Sequence, residues 1–451
     1  MPDELFLKNR ALTLLAALRQ QLLQPGLCAR HRRRAQDFSR ECILTFPVLM
    51  LFLLQKSLKS LQARLHEFFW QWAGAAGAPA VTVGALTHAR AKLLPGAFIE
   101  LNQTVLATVY GPQYGAWARR WRGHRLVGID SSVLRLPESA GLRAHFGVMP
   151  CRNQHGDNES YPQGRASVLY DLLNELALDA HLDAGNRPET ELALEHLPAV
   201  QPGDLILTDR GYRGWGWFAA VRQRGAHFVC RCPRCSFTAA EELFARNEAG
   251  VSVIVSLPAP KPERARARAQ GWPLELRVRL ITLRLSTGEL EVLATSLLEE
   301  AAYPTESFGE VYGWRWGQET YYARLKGRLD LEHCSGQSVA AVVQDFRALV
   351  LLSNIESVVI GPAQAQLRAH GTVSGRAQPE QVNRAVSLHA LKSRMIELLA
   401  SQTPLEQVLD ELTEWFAHNP VSVRRGRQVP RRKFSPARSY HYQRRVRKIV
   451  F

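Results

Sequence analysis

Asp130 and Asp209 each end an apolar run, LVGID and LILTD. In an open α/β sheet, sites are built at strand ends, and a carboxylate there can ligate a metal. An aspartate after an apolar run is also ordinary turn chemistry, so neither residue decides anything alone. A third acid sits in a charged stretch further on. Tyr312, Arg315, Glu319 and Lys326 lie at offsets 0, 3, 7 and 14 within TESFGEVYGWRWGQETYYARLKGRL. On one continuous helix those offsets fall within roughly 60° of each other at about 100° per residue. One face would then present a phenol, two cations and a carboxylate. A surface helix with an i,i+4 Arg315–Glu319 pair accounts for the pair, but not for the apolar strand-end aspartates elsewhere. Three carboxylates can hold divalent cations, and hard oxygen ligands suit Mg²⁺. Two such ions about 3.5–4 Å apart clamp a phosphodiester for in-line displacement, with flanking cations on the phosphates.

These residues must be placed by the elements around them. Residues 1–118 read as mainly helical, with apolar residues at helical spacing in LKNRALTLLAALRQQLL and SLKSLQARLHEFFWQW. In VTVGALTHARAKL (81–93), Thr82 is a candidate N-cap. Arg90 and Lys92 would project from that short helix, which reads either as a DNA-recognition helix or as a core helix. From about 120 the pattern changes. HRLVGIDSSVLRLP (124–137) predicts two short strands around a turn, with Asp130 ending the first. PETELALEHL predicts a helix, LILT a buried strand, WGWFAAVRQRG a helix and AHFVCRC a strand. Strands alternating with helices imply an α/β core with a mixed sheet. Over 230–300, GVSVIVSL, LELRVRLITLRL and ELEVLATSL predict a strand and a hairpin turning at Ser286-Thr287-Gly288, set in a small β subdomain with an exposed basic loop at 261–272. Residues 304–328 predict one long helix, with more helix over 339–361 and 381–418.

Composition limits the partners. Lys and Arg number 57 against 41 Asp and Glu, a formal net charge of +16. That surplus suits a polyanion, either nucleic acid or an acidic membrane surface. Residues 421–451 hold eleven Lys or Arg and no acid, a tail suited to phosphate contacts or to solubility. The longest apolar run, Ile43 to Leu54, contains Thr45 and Pro47 and falls short of the ~18–20 residues a membrane span needs. Asp3 and Glu4 do not suit a secretory signal, and seven cysteines read as reduced cytoplasmic thiols.

Tyr312-x₂-Arg315-x₃-Glu319-x₆-Lys326 resembles the signature of the IS4-type DDE transposases. GIDSS around Asp130, TDRGY around Asp209, a β-rich stretch before Glu319, ILTFPVLMLFLLQKSLKSLQ and RRKFSPARSYHYQRR are also similar to that family, so the resemblance runs over most of the chain. It implies an RNase H-like α/β catalytic domain (119–229 and 301–365) interrupted by a β-rich insertion (230–300). A helical domain over 1–118 would bind element ends, and a helical region with a basic tail would follow over 366–451. It implies Asp130, Asp209 and Glu319 as the catalytic, metal-binding triad for two Mg²⁺ ions, with Mn²⁺ as a substitute. Tyr312, Arg315 and Lys326 would contact the DNA end, and Arg210 a phosphate. The chemistry implied is hydrolytic nicking at inverted-repeat ends, then attack of the freed 3′-OH on target DNA by a homodimer on paired ends. A bacterial, cytoplasmic, nucleoid-associated enzyme follows from the same resemblance. Hairpin-forming relatives hold a flipped base with a Trp in the insertion. ELEVLATSL has none, and Trp272 is the nearest indole there.

The competing readings are a decayed transposase that only binds DNA and a host nuclease with an RNase H-like core. His227, Cys230, Cys232 and Cys235 lie close in sequence, but a strand would separate His227 from Cys230 and Cys232, so they read as structural thiols more than as a zinc site. No Walker or GxGxxG pattern opens a helix, so no nucleotide cofactor is expected. Asp157 and Glu159 in QHGDNES read as a solvated connector.

Overall fold

The computed structural model describes residues 3–40, 42–74, 76–152, 158–374 and 379–423. Asp157 lies outside those residues, as does all but the first three positions of the basic tail. The fold is mixed α/β. Nine strands form one sheet: β1 (Leu126–Arg135), β2 (Val148–Arg152), β3 (Asn158–Asp171), β4 (Leu176–Ala184), β5 (Leu205–Thr208), β6 (His227–Cys232), β7 (Ser252–Pro258), β8 (Glu275–Arg284) and β9 (Leu290–Thr295). Their order is β2-β3-β1-β5-β6-β9-β8-β7, with β4 paired to β3.

The centre of the sheet is parallel, β1 with β5 and β5 with β6. Every residue of β5 is buried, as expected of a strand covered on both faces. Beyond β6 the sheet is antiparallel through β9, β8 and β7. The β8–β9 hairpin turns where its sequence requires, with Gly288 at φ +82°. It does not stand apart as a small subdomain. β9 hydrogen-bonds β6 over Val229–Cys232, covering what would otherwise be an exposed row of backbone donors and acceptors.

Three local expectations are corrected. Residues 126–135 form one continuous strand, so Asp130 lies mid-strand. The serines after it, which read as turn formers, stay extended because Arg165 donates to Ser131 Oγ at 2.9 Å. The basic segment after Lys261 is not an open loop but carries the helix Arg264–Gln270, with Ala267 buried. The helix expected over 304–328 is two helices, Ser307–Gly313 and Trp316–Gly327. They are divided by a tight turn in which Arg315 N–H donates to Tyr312 O and Gln318 N–H to Arg315 O. Gly313 and Gly317 flank that break, and glycine weakens a helix by ~1 kcal/mol relative to Ala.

The chain forms two compact units. One comprises Arg119–Val133 and Arg165–Tyr322, and it carries the parallel strands. Its core includes Phe218 stacked on Phe228 at 4.1 Å. The other comprises Met1–Ala118, Leu134–Gly164 and Ala323–Phe451. There the helix Val339–Val359, buried along most of its length, packs against Glu4–Leu23, Phe46–Leu54 and Gly96–Tyr110. Among the described residues no single helix is long and apolar enough to cross a membrane.

Candidate active site

Register brings the first two acids together. Leu126 faces Leu205, Val127 faces Ile206 and Gly128 faces Leu207 across β1 and β5. Asp130 and Asp209 each lie two residues beyond the last of these pairs, and the Asp209 carboxylate is close enough to act on Asp130. An ion pair pins the other end. Arg125 precedes β1, Asp204 precedes β5, and the guanidinium donates to both carboxylate oxygens at 3.0 and 2.6 Å, fully buried. Beyond β5 the chain turns into a short 3₁₀ helix, and Asp209 caps it by accepting from Gly211 N–H at 2.7 Å. Asp130 accepts from Ser131 N–H at 2.8 Å.

The helix Trp316–Gly327 delivers the third acid. Gln318 donates to Val168 O at 3.0 Å, and the Tyr322 hydroxyl lies 2.9 Å from Asp130 O and 3.0 Å from Ala166 O. Those contacts lay the helix across β1 and β3, so Glu319, one turn before Tyr322, faces the Asp130 end of the sheet. The approach needs a bare backbone beneath it. A Cβ on Gly128 would lie 2.8 Å from Gln318 Oε1 and 3.2 Å from Leu172 Cδ2.

Electrostatics connect Asp130 to Asp209 and Arg315. Burial pushes the Asp130 carboxyl up to about 7; the Ser131 N–H pulls it down, and the Asp209 carboxylate adds to the rise. Arg315 supplies countercharge to Asp130 and donates to Glu319 Oε1 at 2.9 Å. Its guanidinium also lies over the Tyr312 and Trp316 rings. The three carboxylates are hard oxygen donors, which fits a divalent cation of the Mg²⁺ class. Residues 121–355, just over half of the chain, match the family described as Transposase DDE domain.

The chain belongs to the DDE transposases.

It is 26% identical over 206 residues to Transposase InsG for insertion sequence element IS4 of Escherichia coli (strain K12), which covers 46% of this chain and 45% of that protein. The chain thus matches about half the length of that curated relative, and the family is of IS4 type. It is also similar to the solved piggyBac transposase synaptic complex with hairpin DNA, at 9% identity and a TM-score of 0.40 over 92% of this chain and 86% of that one.

Around the acids of this DDE domain stand two residues that motif reading missed. Arg165 on β3 reaches Ser131 and pairs with Glu189 at 2.5 Å. Glu189 opens the helix Glu189–Glu195, adds to the negative charge felt by Asp130, and would lie 3.6 Å from a Cβ on Gly211. The helix-start acid was visible in PETELALEHL, but nothing local said which strand end it would face.

The remaining sequence candidates divide. Arg210 is exposed beside Asp209, and Lys92 is exposed. Tyr312 is only 7% exposed, and its hydroxyl donates to Thr208 O at 3.3 Å, so this structure ties the phenol to the end of β5 and not to solvent. Lys326 belongs to the other unit and is half-buried, which lowers its pKa, with Glu332 opposing the shift. Arg90 is corrected. It is 4% exposed, pairs with Asp345 at 2.8 Å, and also donates to Gln344, Ser335 and Ala341 O. Thr82 does cap its helix, through Ala85 N–H, but Arg90 lies on the covered face. Trp272 is 7% exposed with its indole N–H on Gln223, so it cannot hold a base in this conformation. Cys230 and Cys232 are buried and Cys235 is exposed. Burial drives the His227 imidazole down to about 4, and its Nδ1 lies 3.1 Å from Arg222 and 3.3 Å from Ser296 Oγ. This matches structural thiols better than a shared metal.

Proposed function

We propose that this chain cuts DNA at the inverted-repeat ends of an insertion sequence and joins the freed 3′-OH ends to target DNA. The observation that supports it most is that the Asp209 carboxylate acts on Asp130 while Arg315, which donates to Glu319, stands beside the same aspartate. The unit carrying these acids is read as an RNase H-like catalytic domain with the 230–300 strands as its insertion. Asp130, Asp209 and Glu319 would hold two Mg²⁺ ions, with Mn²⁺ able to substitute. Such ions activate a water or 3′-OH for attack on phosphorus and neutralise the departing oxygen.

The side chains do the rest. In hydrolysis, water adds to phosphorus as the bond to the 3′ oxygen breaks, and that oxygen leaves as a 3′-OH. In transfer, the same 3′-OH attacks a target phosphodiester and displaces a target 3′ oxygen. Arg315 orients Glu319 and stands beside Asp130, while Arg210, Lys326 and Lys92 are the cations proposed to hold phosphates. Tyr312 positions the end of β5 through Thr208 and so acts on Asp209 indirectly. Residues 1–118 are proposed to bind the element ends, with two copies of the chain acting on paired ends in the bacterial cytoplasm.

The test is cleavage of a DNA fragment carrying the ends that flank this gene, with Mg²⁺ or with EDTA. Mg²⁺-dependent release with 3′-OH termini is expected, lost in Asp130→Ala, Asp209→Ala and Glu319→Ala while end binding persists. Full activity in any of the three variants would overturn the assignment of the triad.

A further inference from the structure

Away from the three acids, the carrying unit holds a second set of metal-ligand side chains. Asp179 and His181 sit two apart on β4 and therefore share a face of the strand. His196 caps the end of the helix Glu189–Glu195 and is fully buried. One ligand atom from each of the three lies within 4.8 Å of the others. Both imidazoles turn a nitrogen to the same oxygen, His196 Nδ1 and His181 Nε2 each at 2.8 Å from Asp179 Oδ2. The His196 contact has hydrogen-bond geometry, whereas His181 Nε2 is buried and makes no hydrogen bond in that orientation.

The outer nitrogens are supported as well. His196 Nε2 lies 3.0 Å from Ser167 Oγ, and His181 Nδ1 lies 3.9 Å from Glu195 Oε2. Glu195 is itself held by Arg187. Two imidazoles whose near nitrogens converge on one carboxylate, with a polar partner behind each ring, is the arrangement that fixes tautomers for a metal. Two nitrogens and one oxygen suit Zn²⁺, which bonds such ligands at about 2.0–2.2 Å and leaves a fourth position for water.

We propose that Asp179, His181 and His196 form a Zn²⁺ site, separate from the catalytic acids, that fastens β4 to the end of the Glu189–Glu195 helix. Tetrahedral ligands at that bond length stand about 3.3 Å apart, so each 2.8 Å contact opens by roughly half an ångström when the ion enters. No net proton need leave. Each neutral imidazole shifts its hydrogen to the outer nitrogen, where Ser167 accepts that of His196 at 3.0 Å and Glu195, 3.9 Å away, must close on His181 to accept the other. The helix so fastened begins with Glu189, the partner of Arg165 beside Ser131, so the ion would steady a support of the acidic site.

The site does not depend on the cleavage reading, and its test does not read cleavage. Full-length protein stripped with EDTA is titrated with Co²⁺, whose d–d absorption reports low coordination number. One equivalent should give intense tetrahedral bands that Zn²⁺ abolishes and excess Mg²⁺ does not. Glu319→Gln should keep the bands. His181→Ala should lose them, with Zn²⁺ affinity weaker by about two orders of magnitude. Asp179→Asn serves as a second variant, because His181 and Asp179 are both partly exposed and their loss leaves a smaller defect than loss of buried His196. Absence of the bands in the parent protein, their persistence in both variants, or their loss in Glu319→Gln would overturn the proposal.

Discussion

A buried carboxylate beside another carries a measurable signature. The Asp130 carboxyl is raised to about 7 by burial first, with Asp209 adding to the rise. Its folded pKa exceeds that of the unfolded chain, so the fold binds more protons than the unfolded state between about pH 4 and 7. The stability this confers is complete below pH 4 and is lost as pH rises through 7. Without divalent metal, the melting temperature should fall from pH 5 to pH 8. Asp130→Asn should flatten that fall and gain up to a few kcal/mol at pH 8, while abolishing cleavage. Added Mg²⁺ should restore the parent protein at pH 8 and leave the variant unmoved. Thermal melts at both pH values, with and without Mg²⁺, check all three outcomes.

Two cations two residues apart separate structure from recognition. Arg90→Ala leaves Asp345 buried without its partner and should cost about 3–5 kcal/mol in a denaturant melt. Lys92→Ala should leave the melt unchanged and, if the exposed ammonium meets a phosphate, lower the salt dependence of end binding by about one ion.

At the scale of elements, the closeness of the acid-bearing helix to β1 rests on Gly128. Gly128→Ala places a methyl where Gln318 Oε1 and the Leu172 side chain already sit. We expect a loss of about 1–3 kcal/mol from overpacking. Cleavage should fall further than that figure suggests, because displacement of the helix moves Glu319 away from Asp130. Equal losses in melt and in single-turnover rate would contradict the positioning role. This is also where sequence reading succeeded and failed. LILT ended at Thr208 because three apolar residues and a β-branched threonine closed by Asp-Arg-Gly read as a short buried strand and its turn. The Thr82 cap was legible for the same local reason. Asp130 was misplaced at a strand end because Asp-Ser-Ser favours turns locally, and the Arg165 contact that keeps Ser131 extended comes from β3. The 312–326 spacing assumed one helix where the chain forms two. Across the break Tyr312 keeps its ring under the Arg315 guanidinium and turns its hydroxyl to Thr208 O, a contact that spacing alone did not show. Arg90 shows the same limit, since periodicity says which residues share a face and not which face another helix covers.

For the whole molecule, the charge surplus makes one prediction. Residues 424–451 hold all eleven cations of the basic tail. Each phosphate they neutralise contributes about 0.9 to the slope of log affinity against log salt on duplex DNA. Removing 424–451 should flatten that slope by several units in a filter-binding or anisotropy titration. An unchanged slope would assign the tail to solubility alone.

The pairing of β1 with β5 has a consequence for the gene. Side chains on a strand alternate between faces, so one added residue between Arg125 and Asp130 would turn the acid toward the opposite face of the sheet while Arg125 stayed clasped to Asp204. A single inserted codon there would also turn the buried residues of β1 to the wrong faces, so soluble protein and cleavage should be lost together. The same codon placed in the turn after Gly185, between β4 and the Glu189 helix, would only lengthen a loop. A library of single-codon insertions scored for soluble protein should therefore show loss within β1 and tolerance in the turn after Gly185.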